Sequence, residues 1–323
     1  MKTILLTGVA GFVGQKTAQF LLRDGFQVVG IDNLNNYYDV NLKEYRLSQL
    51  NSVNGFDFYN IDIEDVKDLN SIMKDYKFEA IINLAARAGV RYSLENPNIY
   101  VSTNIQGSLN LLELSKKFKI EKFVLASTSS VYAGEKMPFK ENLPVNNPIS
   151  PYAATKKGAE LMAYSFHSVY GIDISIVRYF TVYGPAGRPD MSIFRFIKWI
   201  DEGSKIKIYG DGTQSRDFTY IDDIAEGTIK ALKKVGFEII NLGGGKNPVS
   251  LLTIIKMIEK RMNKKAKFEY NNFPKTDIQE TWADIYKAKK LINWKPKIKL
   301  EEGINRTIDW YLENKRLVQK IKI

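Results

Sequence analysis

Thr7-Gly8-Val9-Ala10-Gly11-Phe12-Val13-Gly14 decides how this chain reads, because of what stands on either side of it. The β-branched apolar run Lys2–Thr7 reads as a strand. Val13–Asp24, apolar at Phe20, Leu21 and Leu22, reads as a helix. Gly8 permits a tight turn between them, Gly11 lets backbone approach a pyrophosphate, and Gly14 lets helix and strand pack closely. The helix N-terminus then faces the phosphates. A second strand, Gln27–Asp32, ends in an acid at the spacing a dinucleotide site requires, about 20 residues on. Asp32 can accept hydrogen bonds from ribose hydroxyls and repel a 2′-phosphate, which favours NAD over NADP. Lys43 and Arg46, a little further on, keep NADP open.

Working outward, strand and helix patterns alternate. Phe56–Asp62 reads as a third strand, Val66–Tyr76 as a helix, Ala80–Leu84 as a fourth strand and Pro97–Phe118 as one long helix. Lys122–Ser127 is a fifth strand, Tyr152–Tyr170 another helix and Asp173–Tyr179 a sixth strand. Such alternation implies an α/β fold, a Rossmann-type doubly wound parallel sheet with helices on both faces. After Thr181 the rhythm breaks at Gly184, Pro185, Gly187 and Pro189. Beyond this loop, helices are expected at Ser192–Glu202, Asp222–Lys233, Ser250–Met262 and Glu301–Glu313, with strands at Ile206–Tyr209 and Ile239–Leu242. The expected organisation is a dinucleotide-binding domain of residues 1–180, rejoined by 222–248, and a smaller α+β substrate-binding lobe of 181–221 and 249–323.

Composition excludes several chemistries. The 323 residues are 44% hydrophobic, ample for a core and long enough for two lobes. With no cysteine there is no disulfide or thiol nucleophile. His167 is the single histidine, so a histidine-based zinc site and a Ser-His-Asp triad are not expected, and no metal is. It falls in a helical stretch and reads as a surface or packing residue. The net charge of +11 comes from lysines interleaved with acids, without an arginine-rich tract. It reads as a solvated face and not as a nucleic-acid surface, though its field would attract a dianionic nucleotide. The start, MKTILLTGVAG, has too short an apolar run for a signal peptide, and no run approaches a membrane span. A cytoplasmic enzyme is the expectation.

The chemistry points to Tyr152-Ala153-Ala154-Thr155-Lys156 at the start of a helix. Tyrosine and lysine at i and i+4 share a face. A neighbouring ammonium and an oxidised nicotinamide both favour phenolate, which lowers the tyrosine from its usual pKa of about 10. Such a base can accept a hydroxyl proton while hydride leaves the same carbon. The fifth strand runs into Ala126-Ser127-Thr128-Ser129-Ser130, where a hydroxyl can hold the substrate oxygen.

TGVAGFVG, NLAA, STSSVY, YAATK and RDFTYIDD, in this order and nearly end to end, resemble the extended short-chain dehydrogenase/reductase family. IDNLNNYYDVNLKEYRL, RAGVRYSLENP, RYFTVYGPAGRPDM and RDFTYIDDI resemble the UDP-glucuronate 4-epimerases within it. The resemblance implies that Gly8, Gly11, Phe12, Val13, Gly14, Asp32, Asn33, Asp62, Ile63, Leu84, Ala85, Ala86 and Tyr179 line NAD. It makes Asn104 the family's structural and catalytic asparagine, grouped with the cofactor residues. It makes Tyr152 the base, Lys156 its electrostatic partner and Thr128 the hydroxyl at the sugar. Arg216 and Asp277 match positions that hold the UDP pyrophosphate and ribose. It also implies a homodimer through the Pro97–Phe118 and Tyr152–Tyr170 helices. Departures are Asn83 where the family's pattern has histidine, Ala133 where it has glycine, and Thr276 where a glycine precedes the aspartate.

The fold does not name the reaction. Dehydratases of the family place Asp-Glu after the catalytic threonine, and its decarboxylases carry a nearby glutamate; here Ser129 and Ser130 follow Thr128. Simple oxidation, rotation and re-reduction at carbon 4 of UDP-glucuronate is therefore the expectation. A 4-keto uronic acid loses carbon dioxide when its carboxylate bond aligns with the ketone π system, so an epimerase must grip the carboxylate. Arg188, in GRPD, is the leading candidate, since an arginine fork binds a carboxylate in two places. Arg91, Thr181, Ser129 and Ser130 support it. UDP-glucose/UDP-galactose 4-epimerase and UDP-glucuronate decarboxylase stay open, as does a non-catalytic NAD- or RNA-binding member of the fold; such members usually lose the Tyr/Lys pair.

Overall fold

A computed structural model of the protein describes residues 1–246, 248–274 and 277–322; Thr276 lies outside the described residues. The first part runs β1 (Thr3–Thr7), α1 (Phe12–Arg23), β2 (Gln27–Asp32), α2 (Val40–Ser48), β3 (Phe56–Asn60), α3 (Val66–Asp75) and β4 (Phe78–Asn83). It continues through α4 (Val90–Glu95), α5 (Pro97–Tyr100), a π-helical segment (Val101–Gly107), α6 (Ser108–Lys117), β5 (Lys122–Thr128), a short 3-10 turn (Ser129–Tyr132), α7 (Pro151–Tyr170) and β6 (Asp173–Tyr179). The second part runs β7 (Thr181–Tyr183), α8 (Ser192–Glu202), β8 (Lys205–Tyr209), β9 (Ser215–Arg216), β10 (Phe218–Tyr220), α9 (Ile221–Lys230), β11 (Phe237–Leu242) and β12 (Val249–Ser250). It ends with α10 (Leu251–Met262), β13 (Lys267–Asn271), α11 (Tyr286–Ile292), α12 (Leu300–Glu313) and α13 (Lys315–Lys320).

Seven parallel strands form the main sheet in the order β11-β6-β5-β4-β1-β2-β3. The order reverses between β1 and β4, and the crevice above that switch point is where doubly wound sheets bind ligands. Every residue of β1 and β5 is buried, as expected of strands covered on both faces. Ile4 and Leu6 enter a core with Ala18, Leu21 and Val124, while Leu5 faces the opposite core with Ile81, Leu111 and Phe123. The chain leaves this sheet after β6 and returns to it at β11, which lies beside β6. A third core, around Ile197 of α8, Ile254 and Ile258 of α10 and Ile308 of α12, holds the smaller lobe; Phe12 of α1 belongs to it.

Sequence patterning and structure part in several places. The single helix expected over Pro97–Phe118 is interrupted by the wide π turn that contains Asn104. Short α2 and α4 carry weak periodicity and are not among the expected helices; Asp39 caps α2 by accepting from Asn41 N. β13, alternating and largely exposed, carries no local signal, because it pairs with β8, distant in sequence. His167 makes a packing contact: its Nδ1 lies 2.8 Å from Ile172 O, and its ring lies against Phe237. No helix among the described residues is long and apolar enough to cross a membrane.

Candidate active site

The first wall of the site is backbone. Gly8 turns the chain with φ +69 and donates its N–H to Ile31 O at 2.8 Å. A Cβ on Gly8 would stand 2.7 Å from Ala85 N, one on Gly11 2.9 Å from Gly8 O, and one on Gly14 2.0 Å from Gly8 O. These approaches admit hydrogen only. No side chain caps α1 at Gly11, so its first N–H groups are available to a ligand phosphate. Beside this turn, Thr7 Oγ1 accepts from Leu84 N and Ala85 N and donates to Asn83 Oδ1 at 2.7 Å. Asn83 in turn donates to Ser108 Oγ, so the asparagine departure keeps a complete hydrogen-bond set. Ala133 sits in ordinary extended geometry, φ −53, and Gly134 takes the positive φ beside it.

Asp32, at the tip of β2, accepts from Ala10 N and Leu34 N and stands 3.8 Å from Lys43 Nζ. Asn33 donates to Asp62 Oδ2 at 2.6 Å, and Asn35 accepts from Arg87 Nη1, so this end of the cleft is ringed by fixed polar groups. Arg46 corrects an expectation. It is buried, with its guanidinium spent on Ala10 O, Ala186 O and Tyr38 OH, and cannot meet a phosphate. Lys43 does line the cleft.

α7 carries Tyr152 and Lys156 on one face, with Ser150 capping the helix through Ala153 N. Thr128 ends β5 opposite them, and its Oγ1 accepts from Ser130 N at 3.1 Å. Burial pushes the Tyr152 hydroxyl above its ordinary value, while the Thr128 hydroxyl and the Arg188 charge pull it down. Arg188, which the sequence places at the carboxylate, is thus also a cation acting on this hydroxyl. Lys156 is itself pushed down to about 8 by burial, partly offset by Glu160.

The opposite wall comes from the smaller lobe and from α4. Asp277 stands between Arg91 Nη2, at 3.2 Å, and Arg216 Nη2, at 3.7 Å. Arg91 also lies over the Tyr209 ring, 4.0 Å from its centroid. Arg188 is in the cleft, but its Nε and Nη2 both donate to Asp190, at 3.0 and 2.6 Å. The two-point fork expected to face a substrate is thus occupied by its own chain, leaving Nη1. The polarity of the loop signals an arginine; that Asp190 would fold back onto it is a matter of backbone path.

One cavity of about 780 Å³ is lined by Gly8, Gly11, Phe12, Val13, Gly14, Asp32, Asn33, Asp62, Ile63, Leu84, Ala85, Ala86 and Tyr179. Thr128, Ser129, Ser130, Tyr152, Lys156, Thr181, Arg91, Arg188, Arg216 and Asp277 line it too. Asn104 is the exception. It is buried behind the wall, accepting from Arg87 N and donating to Arg87 O and Thr155 Oγ1. Its contacts join the β4–α4 connection to the Tyr152 helix and do not reach the cavity. Sequence reasoning missed Tyr37, Arg195, Lys207, Tyr209 and Gln214, which also line the cleft. Arg195 Nε and Gln214 Oε1 are buried there without a partner among the described residues, as suits groups meant for a polar ligand. In IFRFIKWI, Arg195 is merely one of two polar positions, with Lys198, in an apolar helix, so no local signal marks it.

The cavity offers a glycine turn with an uncapped helix end, an acid for ribose hydroxyls, a tyrosine–lysine pair with a hydroxyl opposite, and a cationic far wall. The glycine cradle and Asp32 fit a dinucleotide. A family profile described as GDP-mannose 4,6 dehydratase matches residues 5–307. The chain is 62% identical, over 99% of its length and 99% of the relative's, to a UDP-glucuronate 4-epimerase of Thermodesulfobacterium geofontis. It is 41% identical, over 97% of each chain, to a probable UDP-glucuronate 4-epimerase of Rhizobium meliloti. Its structure is similar to that of UDP-glucuronic acid 4-epimerase from Bacillus cereus in complex with UDP-glucuronic acid and NAD. There the TM-score is 0.90 and the identity 39%, over 96% of this chain and 99% of the other.

Proposed function

This chain belongs to the extended short-chain dehydrogenase/reductase family and, within it, to the UDP-glucuronate 4-epimerases, and from that premise we propose how its cleft performs the reaction. It epimerises carbon 4 of UDP-glucuronate to give UDP-galacturonate, with NAD as cofactor. The observation that carries this is the meeting of the glycine cradle, Tyr152–Lys156 and a cationic wall around one cavity.

Gly8, Gly11, Gly14 and the α1 N-terminus hold the NAD pyrophosphate, and Asp32 its adenosine ribose, with Asn33 and Asp62 beside it. NAD, when bound, takes up a hydride from the sugar and returns it, so there is no net oxidation. Tyr152 oxygen removes the proton from the 4-hydroxyl, and Thr128 Oγ1 holds that oxygen. Lys156 keeps the site cationic. After the 4-keto sugar turns over in the site, so that its other face meets the returning hydride, Tyr152 gives its proton back to the carbon 4 oxygen. Arg216 and Asp277 take the UDP, joined by Arg195, Lys207 and Gln214. The uronate carboxylate meets Ser129, Ser130, Thr181 and the one open edge of Arg188, and is held out of line with the keto group. Asp190 fixes that arginine, which loses no entropy on engaging substrate.

We also propose a homodimer. Val101 of the π-helical segment and Leu161, Met162, Tyr164 and Val169 of α7 stand exposed, an apolar surface a second copy would cover. A mass of one chain by light scattering, unchanged with concentration, refutes it. For the reaction, the protein is incubated with UDP-glucuronate and the products are resolved. UDP-galacturonate without carbon dioxide release is expected; UDP-pentose as the main product makes the chain a decarboxylase. Turnover of UDP-glucose in preference to UDP-glucuronate makes it the neutral-sugar epimerase, and bound NAD without turnover makes it a binding protein.

A further inference from the structure

Behind the reacting end lies a chain of buried polar groups that the steps above do not use. Glu160 follows Lys156 by one turn of α7, as Lys156 follows Tyr152, so the three share a face. Arg178 of β6 closes on Glu160 with its fork: Nε donates to Oε1 at 2.8 Å and Nη2 to Oε2 at 2.6 Å. Both side chains are 1% exposed. Glu160 Oε1 also accepts from Ser127 Oγ at 2.6 Å, and Ser127 immediately precedes Thr128 at the end of β5. Arg178 Nη1 donates to Tyr132 OH, which donates to Asn241 Oδ1 of β11. One ion pair therefore ties α7 to β5, β6 and β11 directly beneath the cleft.

Burying such a pair is a poor way to gain stability, because desolvation costs several kcal/mol per ion and apolar residues of like volume often serve as well. Its position suggests what the charge does instead. We propose that Glu160, held by Arg178, is a positioning residue for the epimerisation. Through Ser127 it fixes the strand end that carries Thr128, and it places a carboxylate behind Lys156 that keeps the ammonium charged. The Glu160 charge opposes the effect of burial on Lys156. Facing Glu160 are Arg178 from β6, Lys157 from α7 itself and the Ser127 hydroxyl from β5, with Tyr132 of the 3-10 turn behind Arg178. The π-helical segment packed on α7 has no charged side chain. Of the other elements packed on α7, α4 carries Arg91 and Glu95, and α6 carries Glu113, Lys116 and Lys117.

The inference rests on Tyr152 and Lys156 being the reacting pair. Its test is the pH dependence of kcat on UDP-glucuronate in Glu160→Gln. Without the carboxylate, Lys156 loses its proton at lower pH, so the alkaline limb moves down by about one pH unit or more. Neutral-pH kcat falls about tenfold or more while KM stays within about threefold. Because that variant leaves a buried arginine unpaired, the double variant Glu160→Gln, Arg178→Gln is measured beside it. Ser127→Ala, which keeps the ion pair, is expected to lower kcat with the limb unmoved. An unshifted limb in either folded Glu160 variant overturns the electrostatic role, and wild-type kcat in Ser127→Ala overturns the positioning of Thr128. Tyr152→Phe is run alongside. If it turns over normally the reading of the pair itself fails; if it is inactive and the limb is unshifted, only the role of Glu160 does.

Discussion

At the β1–α1 turn the cleft wall is backbone, and across from it, around Arg91, Arg188 and Arg216, it is side chain. The turn packs Gly8, Gly11 and Gly14 against carbonyls and amides that cannot yield. The far wall is a set of long cationic side chains braced by Asp190 and Asp277. A ligand phosphate meets main-chain N–H groups on one side and braced side-chain charges on the other. The same cradle therefore suits any dinucleotide, while the sugar it accepts is set by a few replaceable side chains and by what braces them.

Substitutions should respect that division, and the largest effect is expected in the backbone wall. Gly14→Ala sets a methyl 2.0 Å from Gly8 O, between two stretches of main chain. It should cost at least the upper end of the roughly 1–3 kcal/mol of overpacking, with loss of bound NAD. A variant that melts with the wild type and carries its NAD would show the wall to be pliable. Next comes Tyr152→Phe, which removes the acid–base oxygen and leaves both walls intact. Turnover should fall about 10²–10⁴-fold, with NAD content and melting temperature unchanged; a loss of NAD instead would place the tyrosine in the cofactor wall.

Arg188→Ala follows. Losing a charged hydrogen bond of about 1.5–3 kcal/mol should lower kcat/KM for UDP-glucuronate roughly tenfold to a hundredfold. It should also raise the ratio of pentose to epimer, because the carboxylate can rotate at the 4-keto stage. An unchanged ratio would assign Arg188 to phosphate binding, and retained kcat/KM would show the hydroxyls to hold the carboxylate unaided. The smallest effect is expected for Arg91→Ala. Its pair with Asp277 is partly exposed and worth about 0.2–1 kcal/mol, so kcat/KM should change less than about fivefold. A larger fall would mean that the Arg91–Asp277–Arg216 cluster acts as a unit, and measuring Arg91→Ala with Arg216→Ala singly and together separates the two cases.

The sequence by itself determined the sheet, the nucleotide turn and the Tyr152–Lys156 face, because each depends on residues within about one helical turn or one strand–turn–helix unit. Apolar period, glycine spacing and an i, i+4 pair are local quantities, and local quantities survive in a one-dimensional string. Only the tertiary structure decided which charges are available. Arg46 reads as a cation for a phosphate and Arg188 as a fork for a carboxylate, yet one is spent on carbonyls of Ala10 and Ala186 and the other is gripped by Asp190. Asn104 sits behind the wall because a π turn rotates it toward Arg87 and Thr155. Glu160 finds Arg178 across 18 residues, and Arg91 finds Asp277 across 186. A hydrogen bond or ion pair is set by a few ångströms of separation and by which competitor arrives first, and that competition is settled only when the whole chain has closed around the cleft.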